Sequence, residues 1–146
     1  MNKIEILSLV QEKLKFKIDH LGKLIAETRA SNNETKSSMG DKYETTREMV
    51  QQEINNLQLQ LNGNLKAETV LKTLSVSAHE KVQTGSLVET NNGYFYIAIS
   101  LGDLLFNDKK IFLISPESPL AKAMMGNCEN EEFTLNNIQQ KIIKIW

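Results

Sequence analysis

Cysteine is all but missing. Cys128 stands alone in 146 residues, so no disulfide can form within the chain. A chain without a disulfide framework fits a reducing compartment, and the cytoplasm is the expected one. Histidine is limited to His20 and His79, and no spacing among these and Cys128 resembles a zinc site. His20 precedes a stripe leucine and reads as a helix-flank residue, while Cys128 reads as a loop thiol. No run of about 18 apolar residues occurs, so no membrane span is expected. Glu5 and Glu12 interrupt any apolar stretch near the start, which argues against a secretory signal. A surplus of one charge is missing too: 17 basic and 18 acidic residues leave a formal net charge of -1. Affinity for phosphate backbones needs excess Lys and Arg, so no sequence-specific DNA binding of its own is expected. There is no Gly-rich phosphate loop, nucleophile elbow or dinucleotide fingerprint, so a self-contained enzyme is not the expectation.

What is present is a 40% hydrophobic, 24% charged chain, suited to one domain or to a small domain plus an extended element. Its grammar changes near residue 75. Residues 1–74 contain no proline, whereas residues 75–146 hold Pro116, Pro119 and four of the five phenylalanines. Charge does not divide the halves: 11 basic and 10 acidic residues in the first, 6 and 8 in the second. The division predicts an antiparallel coiled-coil domain over 1–74 and a β-domain over 75–146.

In the first half Ile4, Leu7, Gln11, Leu14, Ile18, Leu21, Ile25 and Thr28 recur at spacings of three and four, the seam of a coiled coil. The stripe resumes at Tyr43, Arg47, Val50, Ile54, Leu57 and Leu61. Two helices follow, roughly 3–30 and 41–73, each on the order of 40–50 Å long at ~1.5 Å per residue. Turn formers fill Ala30 to Gly40, and helices joined by a short connection lie antiparallel. The expectation is a helical hairpin with a polar tip near 31–44. Lys13, Lys15 and Lys17 read as a solvated helix face.

The second half reads as short strands. Ser86–Glu89 and Tyr94–Ser100 flank Asn91-Asn92-Gly93, a hairpin signal. A loop from Gly102 to Asp108 leads into a strand over Lys110–Ile114. Ser118 with Pro119 predicts a helix start, because proline at the first helical position loses no hydrogen bond. That helix is expected to stop at Gly126 and to bury Leu120 fully. Asn136-Asn137 joins the last two strands, with Ile138, Gln140, Ile142, Lys144 and Trp146 on one face and Ile143 and Ile145 on the other. The fold class expected is α+β: the helical hairpin plus a small antiparallel β-domain with one short helix.

Chemistry concentrates in the tip carboxylates Glu34, Asp41 and Glu44. Asp41 and Glu44 lie three apart and share one face of a first helical turn. Acids there stabilise the helix dipole and cap free N–H groups. Two solvent-facing carboxylates also suit Mg²⁺, which takes one or two carboxylates with water or phosphate completing the shell.

Ile114-Ser-Pro-Glu-Ser-Pro-Leu-Ala-Lys-Ala-Met-Met-Gly126 resembles the C-terminal signature of the bacterial GreA/GreB family of transcript cleavage factors, approximately I-S-x-x-S-P-[ILM]-A-[RK]-A-L-[IL]-G. Val82-Gln-Thr-Gly-Ser-Leu-Val88 resembles the family's V-x-x-G-[SA]-x-V strand entry, and Phe133 to Ile145 resembles its closing hairpin. The resemblance spans nearly the whole chain. It implies an FKBP-like C-terminal domain that docks on the rim of the RNA polymerase secondary channel, and a coiled coil that enters it. It further implies that acidic tip residues help the polymerase bind a second Mg²⁺ and cleave the 3′ end of backtracked nascent RNA. On this reading the chain is an accessory factor, not an enzyme, with no tightly bound cofactor. Gly40-Asp-Lys-Tyr-Glu44 preserves the family's G-D-x-x-E, which puts Asp41 and Glu44 in the functional positions. Thr45-Thr46-Arg47-Glu48 replaces the family's N-A-E-Y continuation. A second register sets Tyr43 and Arg47-Glu48 on the family's Y-x-x-x-R-E and leaves Glu34 as the replacement acid. Glu117, Ser118 and Pro119 match the acidic-Ser-Pro segment that contacts the polymerase rim; Ser118 and Pro119 equally make a good helix start.

Overall fold

The computed structural model describes residues 1–35 and 41–146, with side chains outside 32–44. Two helices of 33 residues each, α1 (Lys3–Thr35) and α2 (Asp41–Thr73), precede six strands and one short helix: β1 (Leu87–Thr90), β2 (Gly93–Ile97), β3 (Gly102–Phe106), β4 (Lys109–Ile114), α3 (Pro119–Met124), β5 (Glu132–Leu135) and β6 (Ile138–Ile145). This is the expected α+β class. The chain divides into two compact units, residues 12–68 and residues 1–11 with 69–146. That boundary differs from the compositional one at 75, because both helix ends group with the strands.

The helical unit is a hairpin. Leu21 and Ile25 of α1 share one apolar cluster with Ile54 and Leu57 of α2, and Leu24, Val50 and Leu61 pack against it. Only five residues separate the two helices in the chain, too few to run back along a 33-residue helix, so helices that share this cluster are antiparallel. The heptad seam holds here because every-third-and-fourth spacing keeps one stripe facing the partner. Its first members do not follow it. Ile4 is 62% exposed and Gln11 is exposed, while Lys3, Ile6 and Val10 are buried. This end of α1 belongs to the other unit, and its inward stripe is shifted by one residue from the seam.

In the β unit, Asn2 caps α1: its Oδ1 accepts the N–H groups of Ile4 (3.0 Å) and Glu5 (3.2 Å), which have no intrahelical partner. The sheet order is β3-β4-β2-β1-β6-β5. It is antiparallel except where β2 and β4 run parallel, with Phe95 opposite Phe112, so it is mixed and not wholly antiparallel as expected. The cause lies at 102–108. That segment is not a loop: Gly102–Phe106 forms edge strand β3, and Asn107 and Asp108, both at positive φ, reverse the chain. The reversal brings β4 back between β3 and β2. Asn and Asp tolerate left-handed backbone, so a mirror-image turn forms without glycine. Asn136 and Asn137 make the same kind of turn between β5 and β6.

Strand alternation divides the side chains between two faces. Val88, Phe95, Ile97, Phe133, Ile142 and Ile145 join Ala121 and Met124 of α3 in one core. Leu87, Tyr96, Ile111 and Leu113 are buried on the opposite face. Ile142 and Ile145 both point inward, and Ile143 is 47% exposed, contrary to strict alternation. A register shift between Glu89 and Thr90, opposite Lys144 and Ile142, resets the phase of β6. Leu120 is half-buried against the core edge and not fully buried; Met124 takes the central place.

Candidate functional site

Two segments carry the candidate chemistry. The first is the hairpin tip. Asp41 opens α2, Glu44 falls in its first turn, and Glu34 falls in the last turn of α1. Their side chains, and residues 36–40, lie outside the described residues. Among the described residues no group of three His, Cys, Asp or Glu side chains is placed to hold a metal ion.

The second is the start of α3. Ser118 is extended (φ -64°, ψ 149°), Pro119 takes the first helical position, and the Ser118 Oγ accepts the Ala121 N–H at 3.2 Å. The Ser118 carbonyl accepts the Lys122 N–H at 3.0 Å, starting the helix. The helix ends where Gly126 turns to φ +80°, and its N–H is taken by the Val82 carbonyl at 2.9 Å. Glu117 and Pro119 are exposed and Ser118 is half-buried. The structure therefore brings all three onto one surface turn, with the serine already engaged as a cap and the other two free to face a partner.

A third cluster escaped the sequence reading. Lys3 is buried, and its Nζ donates to the carbonyls of Ser77 (2.8 Å) and Trp146 (3.1 Å). Burial lowers its pKa to about 8. His79 Nδ1 lies 2.7 Å from Ser86 Oγ, which also accepts the Gln83 N–H at 3.0 Å. The serine oxygen can accept a second bond or donate its own proton, so the imidazole tautomer sets the direction of this contact. Burial, and secondarily the Lys3 charge, hold the His79 pKa below the usual range. Ser86 is wholly buried, so this pair is no accessible nucleophile and base; it fixes the turn in which Gly85 sits at φ +93°. A Cβ on Gly85 would meet the Ser75 carbonyl at 3.3 Å. Lys3 stands three residues before buried Ile6, on the stripe of Ile6 and Val10; a lysine in that phase was the available signal.

Tyr96 is likewise buried, its hydroxyl has no partner among the described residues, and burial raises its pKa to about 12. His20 is exposed on α1, as its flank position implies. Partial burial and the neighbouring Glu131 push the Cys128 thiol up, away from a reactive thiolate. No helix among the described residues is long and apolar enough to cross a membrane.

No family model matches this chain, and neither does any curated protein. Among solved structures it is similar to the crystal structure of GreA factor homolog 1 (Gfh1) of Thermus thermophilus, at 17% identity and a TM-score of 0.39, covering 93% of this chain and 94% of that one. It is similar to a structure of the transcription factor Gfh1 at 17% identity and a TM-score of 0.38, covering 92% of each chain. Thermus aquaticus Gfh1 gives 19% identity, a TM-score of 0.36 and 92% coverage of each chain. Scores this low leave function to be argued from the chain's own residues.

Proposed function

We propose that this chain is a Gre-type transcription elongation factor. It binds RNA polymerase at the secondary channel and stimulates Mg²⁺-dependent cleavage of backtracked nascent RNA by the polymerase's own active site. The observation that carries the reading is the Ile114–Gly126 segment. Its family-like residues form a capped helix start on the surface of a β unit, in a chain that also holds a long helical hairpin. Each helix of 33 residues is about 50 Å long. The part of them in the helical unit, residues 12–35 and 41–68, is on the order of 40 Å long, a reach that suits delivery of carboxylates to a recessed catalytic centre.

In this role the protein is an accessory factor. Glu117 and Pro119 contact the polymerase rim, with Ser118 shaping the turn. Asp41 and Glu44 offer two hard oxygen ligands three residues apart, a donor set that fits Mg²⁺ shared with the polymerase. A magnesium ion so held supplies Lewis-acid stabilisation and a more acidic bound water for phosphodiester hydrolysis. With the ion bound, Asp41 and Glu44 would hold it and contribute negative charge. The nascent RNA 3′ end is met only through the polymerase.

The Thr45-Thr46-Arg47-Glu48 departure favours a second reading, a Gre-fold regulator that occupies the channel without stimulating cleavage. A third, a coiled-coil adaptor unrelated to polymerase, uses the Ser118-Pro119 segment only as a helix start. Capture of purified core RNA polymerase from the source organism tests the reading. Stoichiometric binding, weakened by Glu117→Gln at unchanged melting temperature, is expected. Absence of binding overturns both polymerase readings and leaves the adaptor.

A further inference from the structure

We propose that Asn92 is a site of spontaneous deamidation created by the β1–β2 turn, and that the chain's other Asn-Gly pair, Asn62-Gly63, is protected by its helix. The reaction is the same at both. The backbone nitrogen of the glycine attacks Cγ of the asparagine. The new C–N bond closes a five-membered imide, the Cγ–Nδ2 bond breaks, and ammonia leaves with the proton from the attacking nitrogen. Water then adds to either imide carbonyl and leaves an aspartyl or isoaspartyl residue. Water is the only co-reactant.

The attack needs a free asparagine side chain, a backbone that can rotate, and no Cβ on the next residue. Asn92 is exposed at the turn joining β1 to β2. Its backbone N–H is held by Thr90 Oγ1 at 3.0 Å, while its side chain has no hydrogen bond among the described residues. The structural duty falls on its neighbour. Asn91 Oδ1 accepts the Lys141 N–H at 2.9 Å, and the Asn91 N–H donates to the Lys141 carbonyl at 3.2 Å. Gly93 opens β2 opposite Thr90 at φ +137°, so it stands at the very end of the ladder, and with no Cβ it leaves the approach to its nitrogen uncrowded.

Asn62 differs in two respects. Its Oδ1 is held by Gln58 Nε2 at 3.1 Å, and it lies with Gly63 inside α2, where the glycine N–H belongs to the helical ladder. Rotation there requires opening the middle of a helix, whereas at residue 92 only the closing pair at the end of one hairpin has to open. Gly63 has nothing within 4 Å of a built Cβ, so crowding does not explain the protection. Reaction at residue 92 adds a negative charge, and the isoaspartyl product adds a backbone carbon beside the two bonds that tie Asn91 to β6.

The test uses the full chain in warm, mildly alkaline buffer, followed by peptide mass mapping over time. The residue-92 peptide is expected to gain the mass that marks exchange of amide for hydroxyl, faster than the residue-62 peptide by about tenfold or more. In urea the two should react at similar rates, and Asn92→Ser should remove only the first signal. A native chain in which residue 62 reacts as fast as residue 92, or in which residue 92 stays unmodified while both react in urea, overturns the proposal.

Discussion

Ser118→Ala separates what the start of α3 does for folding from what it does for binding. The substitution removes the acceptor of the Ala121 N–H at 3.2 Å and leaves Pro119 in place. Loss of a serine cap costs typically ~1 kcal/mol, within a range of about 0.5–2. The upper part of that range applies here, because α3 has six residues and carries buried Ala121 and Met124 into the β-unit core. For a chain of this size the melting temperature should fall by on the order of 4 °C. Ser118→Asn keeps an N-cap acceptor and should melt within a few tenths of a kcal/mol of the parent, on the order of 1 °C. Thermal unfolding followed by circular dichroism reads both. A Ser118→Ala chain that melts with the parent refutes the capping argument and returns the serine wholly to partner contact.

Met124→Ala removes a fully buried side chain and should cost about 2–5 kcal/mol, whereas half-buried Leu120→Ala should cost about 1–2; chemical denaturation ranks the two. Tyr96→Phe deletes a buried hydroxyl without a partner and should raise stability by about 1 kcal/mol, read the same way. Stability should also depend on pH with two opposed alkaline limbs. Lys3 has a folded pKa of about 8 against 10.5 unfolded, so the unfolded chain binds more protons between these values and stability rises across them. Tyr96 has a folded pKa of about 12 against 10.0, so its contribution is lost as pH rises from 10.0 towards 12. On the acid side the lowered His79 pKa removes stability as pH falls below 6.5. Denaturation midpoints across pH check the signs, and Lys3→Met should flatten the first limb.

The sequence made the regular parts of this fold legible and hid the parts that depend on distant strands. The seam of Leu21, Ile25, Ile54 and Leu57 is local periodicity, and it survives intact. The Ser118-Pro119 start and the Gly126 stop are likewise local stereochemistry. The parallel β2–β4 pairing is non-local, and no spacing along the chain announces it. The β3 strand was hidden because its turn, Asn107-Asp108, lacks the glycine that marks such reversals. The phase of Ile143 and Ile145 turned on a bulge set by a different strand, β1. At the start of α3, the capping of Ala121 by Ser118 followed from residue type alone. The Lys3, His79 and Ser86 cluster did not, since its hydrogen bonds join residues up to 143 positions apart.

The most direct measurement is RNA cleavage in stalled, backtracked transcription complexes, comparing the parent with the Asp41→Asn, Glu44→Gln double variant. The parent should accelerate release of short 3′ fragments in the presence of Mg²⁺. The variant should bind polymerase and melt within about 2 kcal/mol of the parent, since acids in a first helical turn contribute ~0.3–1 kcal/mol each through the helix dipole, yet lose the acceleration. Undiminished cleavage by a variant that still binds would contradict the assignment of these acids.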